Sequence, residues 1–126
     1  MDYSSDVRRR FLAPARAGTI PPDASNVVAG AAEDRSLEWW VRFQVQVNGR
    51  TIERMRFQAF GCPHAIAAAD SVAADLEGKP VNALTRVDLE GLARQIGLPR
   101  EKFGKLLCIE DALAACHARL VDKYKE

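Results

Sequence analysis

Between Trp39 and Val47 the chain alternates. Trp39, Val41, Phe43, Val45 and Val47 are apolar, and most residues between them are polar. A period of two predicts a strand with one buried face. Asn48-Gly49 follows, a pair suited to a type I′ turn, whose two central residues need positive φ. The return strand, about residues 50–59, puts Met55, Phe57 and Ala59 on one face. Arg54, Arg56 and Gln58 fall on the other. The pattern predicts an antiparallel hairpin lying on a core, with residues 26–31 as a short edge strand.

The remainder reads as helix. Residues 3–12 predict a short helix capped by Ser4 or Ser5, with Asp6 in its first turn. Residues 13–25 carry Pro14, Gly18, Pro21 and Pro22 and read as an irregular connection. Residues 63–77 begin with a proline at the first helical position and end at Gly78. Ile66, Ala69, Val72, Ala73 and Leu76 form one face of that helix. Thr85 or Asp88 caps a helix that runs to about Ile96 and stops at Gly97 and Pro99. A last helix starts near 101 or 108 and runs to 124, with Ile109, Leu113, Cys116 and Leu120 as its apolar stripe. Strands followed by helices predict an α+β fold.

Composition narrows the class. The chain has 126 residues, 48% hydrophobic and 28% charged. That suits one domain, residues 1–126, with its own core. The net charge of +1 gives no electrostatic reason to expect nucleic acid or an acidic membrane as partner. Arg8-Arg9-Arg10 reads as a solvated helix face. No apolar run approaches the roughly 20 residues that cross a bilayer, and the N-terminus has no signal-peptide pattern. Three cysteines without regular spacing argue against a disulfide framework and for a reducing, cytoplasmic setting.

Candidate chemistry gathers at one corner, Phe60-Gly61-Cys62-Pro63-His64. Cys62 stands where a strand ends and a helix begins. Unpaired N–H groups and the helix dipole favour a thiolate at such a place. Cys108 and Cys116 lie on the last helix and read as small core residues. His64 reads as a solvent-exposed first-turn residue and His117 as a surface one. Of Trp39 and Trp40, one faces the core and the other solvent or a partner.

These residues resemble an IscU-type iron–sulfur cluster assembly scaffold, the family of the NifU N-terminal domain. The resemblance runs through Tyr3-Ser4, Val7, Pro14, Gly18, Asn26-Val27 and Val47-Asn48. It continues through Arg56-Phe57, Phe60-Gly61-Cys62 and Ala65-Ile66-Ala67. It ends with Leu98-Pro99-x-x-Lys102 and Glu110-Asp111-Ala112. It implies a small three-stranded antiparallel sheet packed against helices. It also implies an iron–sulfur cluster, iron or zinc as cargo, and a cysteine desulfurase or chaperone as partner. Leu98, Pro99 and Lys102 match the family's chaperone-binding segment, although Arg100-Glu101 replace its central Pro-Val.

The family holds metal with three cysteines and an aspartate, and only Cys62 is retained here. Aligned without gaps, Leu37 falls on the first cysteine, Trp39 on the aspartate and Lys105 on the third cysteine. Leu and Trp side chains offer no metal donor, and a protonated Lys has no free lone pair. His64, with Glu38 or Glu33, offers a substitute donor set beside Cys62. Lys105 near Cys62 would instead stabilise a thiolate that accepts sulfur as a persulfide, or would merely fill the vacated ligand position. In the Trp39 position an indole would wall the thiol.

Three functions follow. The first is a scaffold that binds iron or a cluster through Cys62 and a partner or a second copy. The second is a relative without metal that serves as an interaction module, for example toward a desulfurase. The third is a thiol-dependent enzyme built on Cys62 and Lys105.

Overall fold

The hairpin strands β2 (Trp39–Asn48) and β3 (Thr51–Phe60) pair antiparallel, with β1 (Val27–Asp34) on the far side of β2. This is a computed structural model that describes residues 3–123. The sheet order β1-β2-β3 and the helices on one face give the expected α+β architecture. The edge strand is longer than residues 26–31 suggested.

Alternation sets the inner face. Val41, Phe43 and Val45 of β2 and Ile52, Met55 and Phe57 of β3 are buried, while the residues between them are half-buried or exposed. The turn differs from the expected one. A bulge at Gln46/Val47 pairs Asn48 with Thr51, so Gly49-Arg50 span the turn. Of these only Gly49 has positive φ (65°), so a glycine in the first central position carries the turn instead of an Asn-Gly pair.

Helix α1 (Ser5–Leu12) is capped by Ser4, whose Oγ accepts from the Val7 amide at 3.0 Å. The same hydroxyl donates to the Ile96 carbonyl at 2.5 Å. The chain after α1 runs along the outer edge of β3, where the Gly18 amide donates to the Phe57 carbonyl at 2.8 Å.

Helix α2 (Pro63–Leu76) is buried on more than the expected face. His64, Ala65, Ala67, Ala68, Asp70 and Ser71 are also enclosed, because α1 covers the side turned away from the sheet. The polar Asp70 is tolerated there because the Arg10 guanidinium donates to it at 2.7 Å and the Arg16 amide at 2.9 Å. Arg10 is therefore turned inward, in contrast to the solvated basic face expected of Arg8-Arg9-Arg10; Arg8 and Arg9 are exposed.

A 3₁₀ turn (Val81–Thr85) leads to α3 (Leu89–Gln95), capped by Asp88 and ended by Gly97 at φ 79°. A second 3₁₀ turn (Arg100–Lys105) precedes α4 (Leu106–Lys123). The Ile109, Leu113, Cys116, Leu120 stripe is buried as expected, with Cys108 beside it. Helix α4 crosses β1 at Gly30, where a Cβ would stand 2.6 Å from the Ala112 carbonyl oxygen and from the Cys116 nitrogen. Among the described residues no helix is long and apolar enough to cross a membrane.

Candidate functional site

Strand β3 ends at Phe60, Gly61 makes the corner, and Cys62 is the N-cap of α2. Pro63 occupies the first helical position, where its missing N–H costs nothing and its fixed φ suits the helix. The Cys62 side chain makes no capping bond and is half-buried. The other two thiols are enclosed. Burial pushes Cys108 up to about 11 and Cys116 up to about 12. Both are core residues, as the sequence suggested, and Cys62 is the accessible thiol.

Cys62 lies in an open cleft of about 660 Å³ between the β1–β2 loop and the end of β3. The loop has its own local order. Asp34 Oδ1 accepts from Ser36 Oγ at 2.7 Å and from the Leu37 amide at 3.1 Å. These bonds, the Ser36 hydroxyl first, hold the Asp34 carboxyl below its ordinary range. Glu38 closes the loop at φ 55°. Leu37 lines the cleft with Cys62.

The tryptophans divide as expected. Trp39 is 2% exposed and lies behind the corner, and Trp40 is 40% exposed. Trp39 lines the same cleft as Cys62. Its Nε1 is buried without a hydrogen-bond partner.

His64 overturns an expectation. It is 1% exposed rather than solvent-facing, with its ring centroid 4.8 Å from that of Tyr3. The cause is Tyr3 and α1, which close over the first turn of α2. Burial lowers the basicity of the imidazole, and the Lys102 and Lys105 charges lower it further. Its Nε2 is also buried without a partner.

Lys105 is half-buried. Its charge acts on Asp34, in the cleft, and on His64, in the first turn of α2. Leu98 is buried in the core, Pro99 caps the second 3₁₀ turn and Lys102 is half-buried.

The donor set does not fit a metal centre within one chain. Glu33, Glu38 and Cys62 share the cleft. Even so, among the described residues no three of His, Cys, Asp and Glu converge closely enough to hold an ion. Tetrahedral metal needs about four donors on one point.

One feature of the site was legible in the sequence but not read there. Trp40 pairs with Phe60 across β2 and β3, and Glu33 pairs with Trp40 across β1 and β2. Paired residues share a face, so Glu33, Trp40 and Phe60 form a row across the outer face of the sheet. The signal was parity. Trp40 continues the even-numbered, otherwise polar positions of β2, and Phe60 those of β3 from Arg54 onward.

Comparison with known proteins places this geometry. Residues 2–126 match the NifU-like N-terminal domain family. The chain is 26% identical over 125 residues to the iron–sulfur cluster assembly protein IscU of Plasmodium falciparum, covering 99% of this chain and 75% of that one. It is 28% identical over 119 residues to the iron–sulfur cluster assembly scaffold protein IscU of Escherichia coli K12, covering 94% and 93%. Its fold overlays the N-terminal part of a nitrogen-fixing NifU-like protein from Brucella abortus with a TM-score of 0.69 at 14% identity, covering 95% and 94%. The chain belongs to the NifU-like N-terminal domain family.

Proposed function

We propose that this chain is a scaffold-family protein of iron–sulfur cluster assembly in which Cys62 is the working group and receives sulfur. One observation carries the reading. Cys62 is the single accessible thiol, set in a cleft at the strand–helix corner, while the other two thiols are buried with raised pKa. Family membership supplies the context and the IscU relatives supply the process.

The donor set shapes the details. With no three donors converging among the described residues, any iron or cluster carried here takes its remaining ligands from a second molecule. Sulfur acceptance needs only the thiolate. It attacks the outer sulfur of a donor persulfide, the donor thiolate leaves, and Cys62 keeps the persulfide. The chain acts in this as acceptor and carrier, not as an enzyme. A cysteine desulfurase in the cytoplasm is the natural donor. Chaperone docking through Leu98-Pro99-x-x-Lys102 is a weaker expectation, because Leu98 is committed to the core.

The test is anaerobic incubation with a desulfurase, cysteine and ferrous iron, followed by mass spectrometry and by iron and acid-labile sulfide analysis. The expected result is one added sulfur on Cys62, removed by reductant and lost in Cys62→Ser. Unmodified Cys62, with the same iron and sulfide content in both proteins, would sink the reading.

A further inference from the structure

The cleft over Cys62 is lined by two unlike sets of side chains. One is apolar and exposed: Leu37 is 40% exposed, Trp40 40% and Phe60 64%. These are among the few large apolar side chains the fold leaves in water, and all three line this cleft. The other set is acidic. Glu33, Asp34 and Glu38 line the cleft with one cation, Arg35. Arg35 reaches Glu33 only at 3.9 Å, with its side chain 89% exposed, so the two neutralise each other weakly. Lys105 acts on Asp34 from outside the lining.

We infer that this cleft docks an extended, lysine- or arginine-bearing apolar segment of a protein partner, laid across the Glu33–Trp40–Phe60 row. The inference rests on Cys62 being the working group and adds what the surface around it recognises. The apolar set needs aliphatic or aromatic side chains to cover it. The acidic set selects a basic segment and repels an acidic one. A second copy of this chain is the poorer occupant, because cleft-to-cleft docking would set two acidic rims against each other. Nucleic acid is disfavoured for the same reason. An extended segment suits the site because the row crosses three strands at one end of the sheet, beside the thiol.

The probe is a short fluorescein-labelled peptide alternating Lys with Leu, and its counterpart with Glu in place of Lys. Binding is read by anisotropy on the full chain. The Lys peptide should bind and the Glu peptide should not, with affinity falling as salt rises. Trp40→Ser with Phe60→Ser should weaken binding about tenfold or more, as should Glu33→Gln with Glu38→Gln. The first pair is exposed and the second lies on the rim, so circular dichroism should show both folded. Cys62→Ser should bind like the wild type, so loss of sulfur acceptance and loss of docking are read separately. Equal binding of both peptides, or unchanged binding by the two double variants, would overturn the inference. So would sedimentation of the wild type as a dimer that Trp40→Ser dissolves, since the second copy would then be the occupant.

Discussion

Trp39 stands so close to Gly61 that a Cβ added at 61 would lie 2.8 Å from the Trp39 Cβ. Trp39 and the corner glycine are thus packed against each other beside Cys62. Gly61→Ala must displace either a core tryptophan or the corner that presents the thiol. It should destabilise the fold by about 1–3 kcal/mol, the usual cost of overpacking. It should also change the alkylation rate of Cys62, while Gly104→Ala, with open space around it, changes neither. Denaturant melts and iodoacetamide kinetics check both.

The three thiols should react very unequally. At pH 7.5 Cys62 should alkylate first in the folded protein. Cys108 and Cys116, at about 11 and about 12, carry little thiolate and little access. Mass spectrometry after short labelling should show one modified cysteine, and all three only after denaturation. Comparable labelling of Cys116 in the folded protein would contradict the packing of α4 against β1.

Asp70 holds α1 to α2. Its side chain is 2% exposed and takes the Arg10 guanidinium at 2.7 Å. Asp70→Ala leaves that guanidinium half-buried without its partner, and should cost about 3 kcal/mol or more in chemical denaturation. Arg9→Ala, whose pair with Asp6 is exposed, should cost about 0.5 kcal/mol or less.

The contrast between these two arginines shows what the sequence could and could not say. Periodicity is a local signal, so the hairpin faces, the Pro63 start, the Asp88 cap and the α4 stripe were all legible. The FGC corner also fixed Cys62 as the residue to watch. Arg10 and Asp70 are sixty positions apart, and nothing local marks them as partners. His64 failed for the same reason. Its burial is decided by Tyr3 and α1, which fold back from the far end of the chain. The turn slipped because a bulge at Gln46/Val47 overrode the Asn-Gly preference.

His64 should make stability depend on pH. Its folded basicity is lowered, first by burial and then by Lys102 and Lys105, with Glu101 opposing. In the unfolded chain it titrates near its ordinary 6.5. Between those two values the unfolded state binds more protons, so stability rises with pH. The contribution is present above about pH 6.5 and is lost as pH falls toward the folded value. Melting temperature should therefore drop between pH 8 and pH 5 in the wild type. The drop should be smaller in His64→Phe, which keeps a ring against Tyr3.

Cysteines placed at positions 37 and 105, where the family resemblance implies ligands, should create metal binding. Leu37 lines the cleft with Cys62, and the Lys105 charge reaches Asp34 in that same cleft. If positions 37 and 105 are the ligand positions that the family resemblance implies, Leu37→Cys with Lys105→Cys gives three thiols around one corner. Trp39 itself should be left alone. It is 2% exposed, and its truncation would cost about 3–5 kcal/mol. Three thiolates plus water are a reasonable zinc set. The double variant should therefore bind zinc at least about tenfold more tightly than the wild type in competition with a chromophoric chelator. Each single variant should fall between the two. If the double variant binds zinc no better, positions 37 and 105 do not converge on Cys62. The gap-free carry-over of the family's ligand positions onto this chain would then be wrong. If it binds well, the loop and the 3₁₀ turn still present the family's ligand geometry, and this chain has lost the donors but kept the frame that held them.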